Sequence, residues 1–86
     1  MEQRRRFSMA VSVPFKSPGD ARMAHDALDV DRELRPQLIN RSLKVGEGAS
    51  LEATFEADDL RVLRASVGSF LEHARLCAAT LESFGP

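Results

Sequence analysis

From Leu60 to Phe84 apolar residues recur every three or four positions without a break: Leu60, Leu63, Val67, Phe70, Ala74, Cys77, Leu81 and Phe84. That period is one face of an α-helix of roughly 25 residues, about 40 Å long at 1.5 Å per residue. Asp58 and Asp59 stand at its start, where the helix dipole favours carboxylates, and Gly85-Pro86 supplies a stop. In a chain of 86 residues, one helix of this length leaves room for a single small domain and dictates what must cover it.

The covering layer is legible upstream. Phe7, Met9, Val11, Val13 and Phe15 alternate with Ser8, Ala10, Ser12 and Pro14. A period of two in β-forming residues reads as a strand with one buried face. Pro14 has no N–H for a ladder, so the strand ends there or runs along an edge. Ser17-Pro18-Gly19-Asp20 is a helix start, with Ser17 as cap, Pro18 at the first helical position and Asp20 at the positive dipole end. Ala21, Ala24, Ala27 and Leu28 give that helix about three turns and a narrow, mostly alanine stripe. Asp29 to Pro36 is polar and reads as a surface connection.

Ile39, Leu43 and Val45 form a second alternating run, with Arg41 as the odd member of its apolar face. Gly46-Glu47-Gly48 is a hairpin-turn signal, and Leu51, Ala53 and Phe55 return as a third strand. The order is β-α-β-β-α. It predicts an α+β fold, a three-stranded antiparallel sheet with two helices on one face. Residues 7–86 are one domain, preceded by a basic, flexible N-terminus, 1–6, that holds Arg4, Arg5 and Arg6.

A chain this short buries only roughly 60–65% of the surface its unfolded form exposes, so its own core is marginal. Small domains compensate with disulfides, a metal or a partner. Cys77 is the single cysteine, which excludes an internal disulfide and fits a reducing compartment, cytosol or nucleus. Oligomerisation is the remaining support. Twelve basic and thirteen acidic residues give a net charge of -1, which argues against wholesale electrostatic binding of nucleic acid. No apolar run approaches the roughly 20 residues that span a bilayer, and residues 1–6 lack a secretory h-region.

A strand of six to nine residues covers only ~20–30 Å, so the long helix overhangs its sheet. Beside the main stripe runs a second set, Val62, Ala65, Ser69, Leu76 and Thr80, with Leu71 and Ala78 on the other flank. One sheet face cannot cover an arc that wide. Gly68 costs ~1 kcal/mol in mid-helix relative to alanine, and with Ala65, Ser66 and Ser69 it makes a small-residue patch where a second backbone could come close. The expected interface for a partner's helices is therefore Val62, Ala65, Ser66, Gly68, Ser69 and Leu76. The competing reading is that the short helix covers this surface or that the overhang frays.

Chemistry is sparse. His73 and Cys77 have the i, i+4 spacing of metal ligands, but two ligands do not close a zinc site, and Cys77 belongs to the apolar stripe. Glu56, Asp58 and Asp59 are explained by strand-end solvation and helix capping rather than Mg²⁺. Neither a P-loop, a nucleophile elbow nor a dinucleotide-binding loop is present, and no cofactor or catalytic residue is expected. Arg61, Arg64 and Arg75 are surface charge or, alternatively, phosphate contacts. A free-standing KH-like nucleic-acid module is the second class considered. It needs a Gly-x-x-Gly loop that this sequence lacks.

The stretch Leu63-Arg64-Ala65-Ser66-Val67-Gly68-Ser69-Phe70-Leu71-Glu72, followed by Thr80-Leu81-Glu82-Ser83-Phe84, resembles the smallest core subunit of the KEOPS (EKC) complex, the Pcc/L-antigen family. Val11-Ser12-Val13-Pro14-Phe15, the Ala21–Asp31 helix and the Arg41 hairpin fit the same pattern, so the resemblance covers residues 7–86. It implies a non-catalytic scaffold that dimerises through its sheet, as a homodimer or with a small capping subunit. Val11, Val13, Leu43, Leu51 and Phe55 are then the expected dimer-sheet residues. It further implies helices that bundle with an ATPase-like catalytic subunit making threonylcarbamoyladenosine in tRNAs that read A-starting codons. Arg61, Arg64 and Arg75 would be candidate tRNA contacts in such an assembly. Where the family often has Asn and Asp, this chain has Gly68 and Glu72.

Overall fold

A computed structural model describes residues 5–29 and 37–84. Arg4, the connection through Pro36 and the Gly85-Pro86 stop lie outside the described residues. The chain runs β1 (Phe7–Pro14), α1 (Pro18–Asp29), β2 (Ile39–Val45), β3 (Ser50–Ala57) and α2 (Leu60–Phe84), the expected order. The sheet is antiparallel and ordered β1-β3-β2, so the last strand in sequence lies in the middle.

Local signals act as their chemistry requires. The Ser17 hydroxyl accepts the Asp20 N–H at 3.1 Å, capping α1. The hairpin closes with the Gly46 N–H donating to the Ser50 carbonyl at 2.9 Å, and Gly48 has φ 72°. A Cβ on Gly46 would come within 2.7 Å of the Glu52 carboxyl carbon and Ser50 Oγ, both ends of side chains that can swing aside, so the positive φ makes Gly48 the position where the turn requires glycine.

Register decides the faces. Val11 and Leu43 both pair with Ala53, Val13 and Val45 with Leu51, and Met9 and Arg41 with Phe55. Directly paired residues share a face. The apolar face of all three strands therefore lies under the helices, where Leu51, Phe55 and Ala57 are wholly buried with Ala21, Ala24, Leu63 and Ala74. Phe55 and Phe70 meet edge-to-face, centroids 5.5 Å apart. The other face is polar: Ser8, Ser12, Asn40, Ser42, Lys44, Glu52, Thr54 and Glu56.

Arg41, the odd member of β2, reaches under α1 and donates from Nη2 to the Leu28 carbonyl at 3.3 Å. A cation at a helix C-terminus meets the negative end of the dipole. Arg41→Ala is expected to cost about 1–2 kcal/mol, checked by urea unfolding.

The two aspartates before α2 divide their work. Asp59 is the cap: its Oδ1 accepts the Arg61 N–H at 2.8 Å. Asp58 instead anchors the N-terminal segment, accepting the Arg6 N–H at 3.0 Å and Arg5 Nη1 at 3.3 Å, while Arg5 Nη2 reaches the Gln37 carbonyl at 2.9 Å. Arg5 and Arg6 were expected in a flexible arm. Arg5 is tied to the end of the sheet by a guanidinium that satisfies a carboxylate and a carbonyl together, and Arg6 by its main-chain N–H.

Candidate partner-helix interface

At 1.5 Å per residue α2 is about 37 Å long, whereas an eight-residue strand covers about 26 Å. Burial follows the arithmetic. Leu63, Val67, Phe70 and Ala74 are buried, and beyond Ala74 no described residue of α2 is. Cys77, Ala78 and Leu81 are half-buried; Leu76 is 49% exposed. Leu71 on the opposite flank and Leu60 at the first turn are also exposed.

The expected interface residues occupy this outer surface. Ala65, Gly68, Ser69 and Leu76 are exposed, and Val62 and Ser66 half-buried at its margin. Val62, Ser69 and Leu76 stand seven residues apart and so share a stripe. Ala65 and Ser69 stack beside it at i, i+4. An added Cβ on Gly68 meets nothing within 4 Å, so no contact inside the protomer requires glycine. Gly68→Ala is accordingly expected to stabilise the isolated chain by about 0.5–1 kcal/mol, seen as a raised urea midpoint.

Sequence patterning did not reveal Met23. At 57% exposure it is the most open large apolar side chain of the described residues. It lies two positions after Ala21, off the α1 core stripe, and that displacement was the available signal.

The dimer-sheet expectation is corrected. Val11, Val13, Leu43, Leu51 and Phe55 all lie on the helix-covered face, Leu51 and Phe55 at 0% exposure. Alternation gives each strand one apolar face, and the helices take it. A second copy cannot reach these residues by stacking on the open face.

Arg61, Arg64 and Arg75 are all exposed. Arg61 and Arg64 lie on successive turns, and Arg75 is about 16 Å beyond Arg64 along the axis. Arg75 forms a fork with Glu72 at 2.8 and 3.2 Å. Hydrogen bonding and charge from Arg75 lower the Glu72 pKa, and the Arg75 pKa is raised reciprocally. The pair therefore holds fully at neutral pH and weakens as acid protonates Glu72 through its lowered pKa. Burial, then the charge of Asp20, pushes the Cys77 thiol up, which keeps it protonated and poorly nucleophilic. Among the described residues no three His, Cys, Asp or Glu side chains gather as a metal site. No described helix is long and apolar enough to cross a membrane.

Two helices packed on one face of a small three-stranded sheet, with an apolar stripe left outside, define a small α+β domain. The chain belongs to the Pcc1 family: the family model described as transcription factor Pcc1 matches residues 8–82. It is 38% identical to the human EKC/KEOPS complex subunit LAGE3 over 76 residues, 88% of this chain and 52% of the relative. The mouse EKC/KEOPS complex subunit Lage3 is 38% identical over 81 residues, 94% of this chain and 53% of its own length. The chain thus spans about half the length of the curated relatives it matches. A chain of the crystallised Gon7-Pcc1 binary complex has the same fold, with TM-score 0.80 and 23% identity over 92% of this chain and 96% of that one.

Proposed function

We propose that this chain is a non-catalytic scaffold subunit of a KEOPS-type assembly, docking the helices of the catalytic subunit on the outer stripe of α2. The observation that carries the reading is the exposed row Ala65, Ser69 and Leu76, with half-buried Val62 at its margin, on a helix that outruns its sheet. Fully burying one leucine gains ~1.5–3 kcal/mol, so covering Leu76 and its neighbours is a driving force for association. The naming of both curated relatives as EKC/KEOPS complex subunits supports the same assembly. In it the catalytic subunit would form threonylcarbamoyladenosine in tRNA, in the cytoplasm or nucleus, with this chain contributing position rather than chemistry. The Gon7-Pcc1 complex favours a small capping protein as a further partner.

Co-expression of this chain with a KEOPS catalytic subunit tests the reading. A stable complex that survives gel filtration is expected, and separate elution of the two proteins overturns it. The arginines form a separate step. Arg61→Glu with Arg64→Glu is expected to lower tRNA affinity of the assembled complex several-fold with assembly unchanged, measured by filter binding across a salt series. Equal affinity would remove tRNA contact from these residues.

A further inference from the structure

Docking through α2 makes no use of the basic run ahead of β1. Arg5 and Arg6 stand three and two positions before Ser8, with Met9 directly after it. No other serine or threonine of the chain has arginine at both of those positions. Guanidinium groups spaced in this way fit a carboxylate-lined cleft through bidentate, charge-assisted bonds, which is how an arginine-directed protein kinase selects its hydroxyl. Several other hydroxyls are already engaged. Ser17 caps α1, Ser50 donates to the Glu47 carbonyl at 3.4 Å, and Thr80 donates to the Leu76 carbonyl at 2.9 Å.

The fold leaves Ser8 open to such an enzyme. It is exposed, lies on the polar face, and is the second residue of an edge strand whose backbone is already extended. Phe15 N–H donates to the Ala49 carbonyl, and along an antiparallel strand the main-chain groups alternate sides. Phe7 and Met9 therefore bond to β3, while the N–H and C=O of Ser8 face the free edge. Lifting this end of β1 breaks main-chain bonds on one side only. Arg6 is exposed, with Cζ 5.7 Å from the Phe7 ring centroid. Arg5 is clasped by Asp58 at 3.3 Å and the Gln37 carbonyl at 2.9 Å, and an ion pair at the surface opens easily.

We propose that Ser8 is a phosphate acceptor for an arginine-directed protein kinase, which takes Arg5 and Arg6 once the Asp58 clasp opens. The Ser8 hydroxyl oxygen attacks the γ-phosphorus of ATP, the bond from that phosphorus to the β-phosphate oxygen breaks, and ADP leaves. The hydroxyl proton passes to the catalytic aspartate of the kinase. The modification also acts on the sheet. Ser8 lies directly opposite Glu56 in a pair without main-chain bonds, the closer kind. A phosphate adds a charge of about −1.5 to −2 against that carboxylate, and like charges directly opposite each other loosen a strand pair. Phosphorylated Ser8 therefore weakens the hold of β3 on the start of β1.

Incubating the full chain with magnesium-ATP and the cyclic-AMP-dependent protein kinase, an arginine-directed enzyme, tests the site by intact mass and fragment spectra. A single phosphate on Ser8 is expected, absent from Ser8→Ala. Arg6→Ala keeps the main-chain bond to Asp58 but removes a recognised guanidinium, and is expected to lower kcat/KM by about tenfold or more. Asp58→Ala keeps both arginines and frees them, and is expected to raise kcat/KM several-fold with the circular dichroism spectrum unchanged. Phosphate on another hydroxyl, an Arg6→Ala rate equal to wild type, or acceptance by Asp58→Ala but not by the wild-type chain overturns the site. The purified phosphorylated chain is expected to unfold at lower urea than the unmodified one, and Glu56→Gln is expected to remove the difference. An equal or raised midpoint overturns the loosening of β1.

Discussion

Replacing Leu76 with glutamate is expected to leave the chain folded and to weaken its binding to a helical partner by about 10- to 100-fold. Leu76 lies beyond the last buried residue of α2, at 49% exposure, so its side chain contributes little to the protomer's own core. In a complex the same side chain would be enclosed, and a carboxylate there would lose its hydration without a counter-charge. A loss of about 1.4 kcal/mol is already tenfold in affinity, and a centrally placed apolar contact exceeds that. Isothermal titration of the catalytic subunit with both forms measures it. Equal affinities would place the contact elsewhere on the molecule.

The largest effect on stability is expected at Phe55. Its ring lies at 0% exposure on the central strand and meets Phe70 edge-to-face, joining sheet to α2. Phe55→Ala removes that contact and leaves a void that neighbouring alanines cannot fill, a cost of about 3–5 kcal/mol. Small domains have only ~5–15 kcal/mol in total, so much of this protein's stability would go. A urea titration measures the loss; a shift below about 1 kcal/mol would mean that the aromatic pair is not central to the core.

Much of this fold was legible because each element announces itself locally. The i, i+3, i+4 recurrence from Leu60 marks α2, Ser17-Pro18 marks the start of α1, and Gly46-Glu47-Gly48 marks the hairpin. Sheet order was not legible, since the pairing of β1 with β3 spans some forty residues and leaves no local trace. The same limit produced the error over Leu51 and Phe55. Alternation tells which residues share a face but not what covers it. Asp58 and Asp59 look equivalent in sequence; only the approach of Arg5 and Arg6 separates the anchor from the cap. The outer stripe of α2 was readable because a helix length and a strand length can be compared without knowing the packing.

Hydrogen exchange of α2, alone and with the catalytic subunit, is the most direct measurement of the docking site. In the free chain no described residue of α2 beyond Ala74 is buried, and the amides of that end are expected to exchange faster than those between Leu63 and Ala74. Strong new protection along α2, greatest from Arg75 to Leu81, is the expected result in the complex. A complex that forms while α2 exchanges as it does alone, with protection confined to the sheet, would contradict the account.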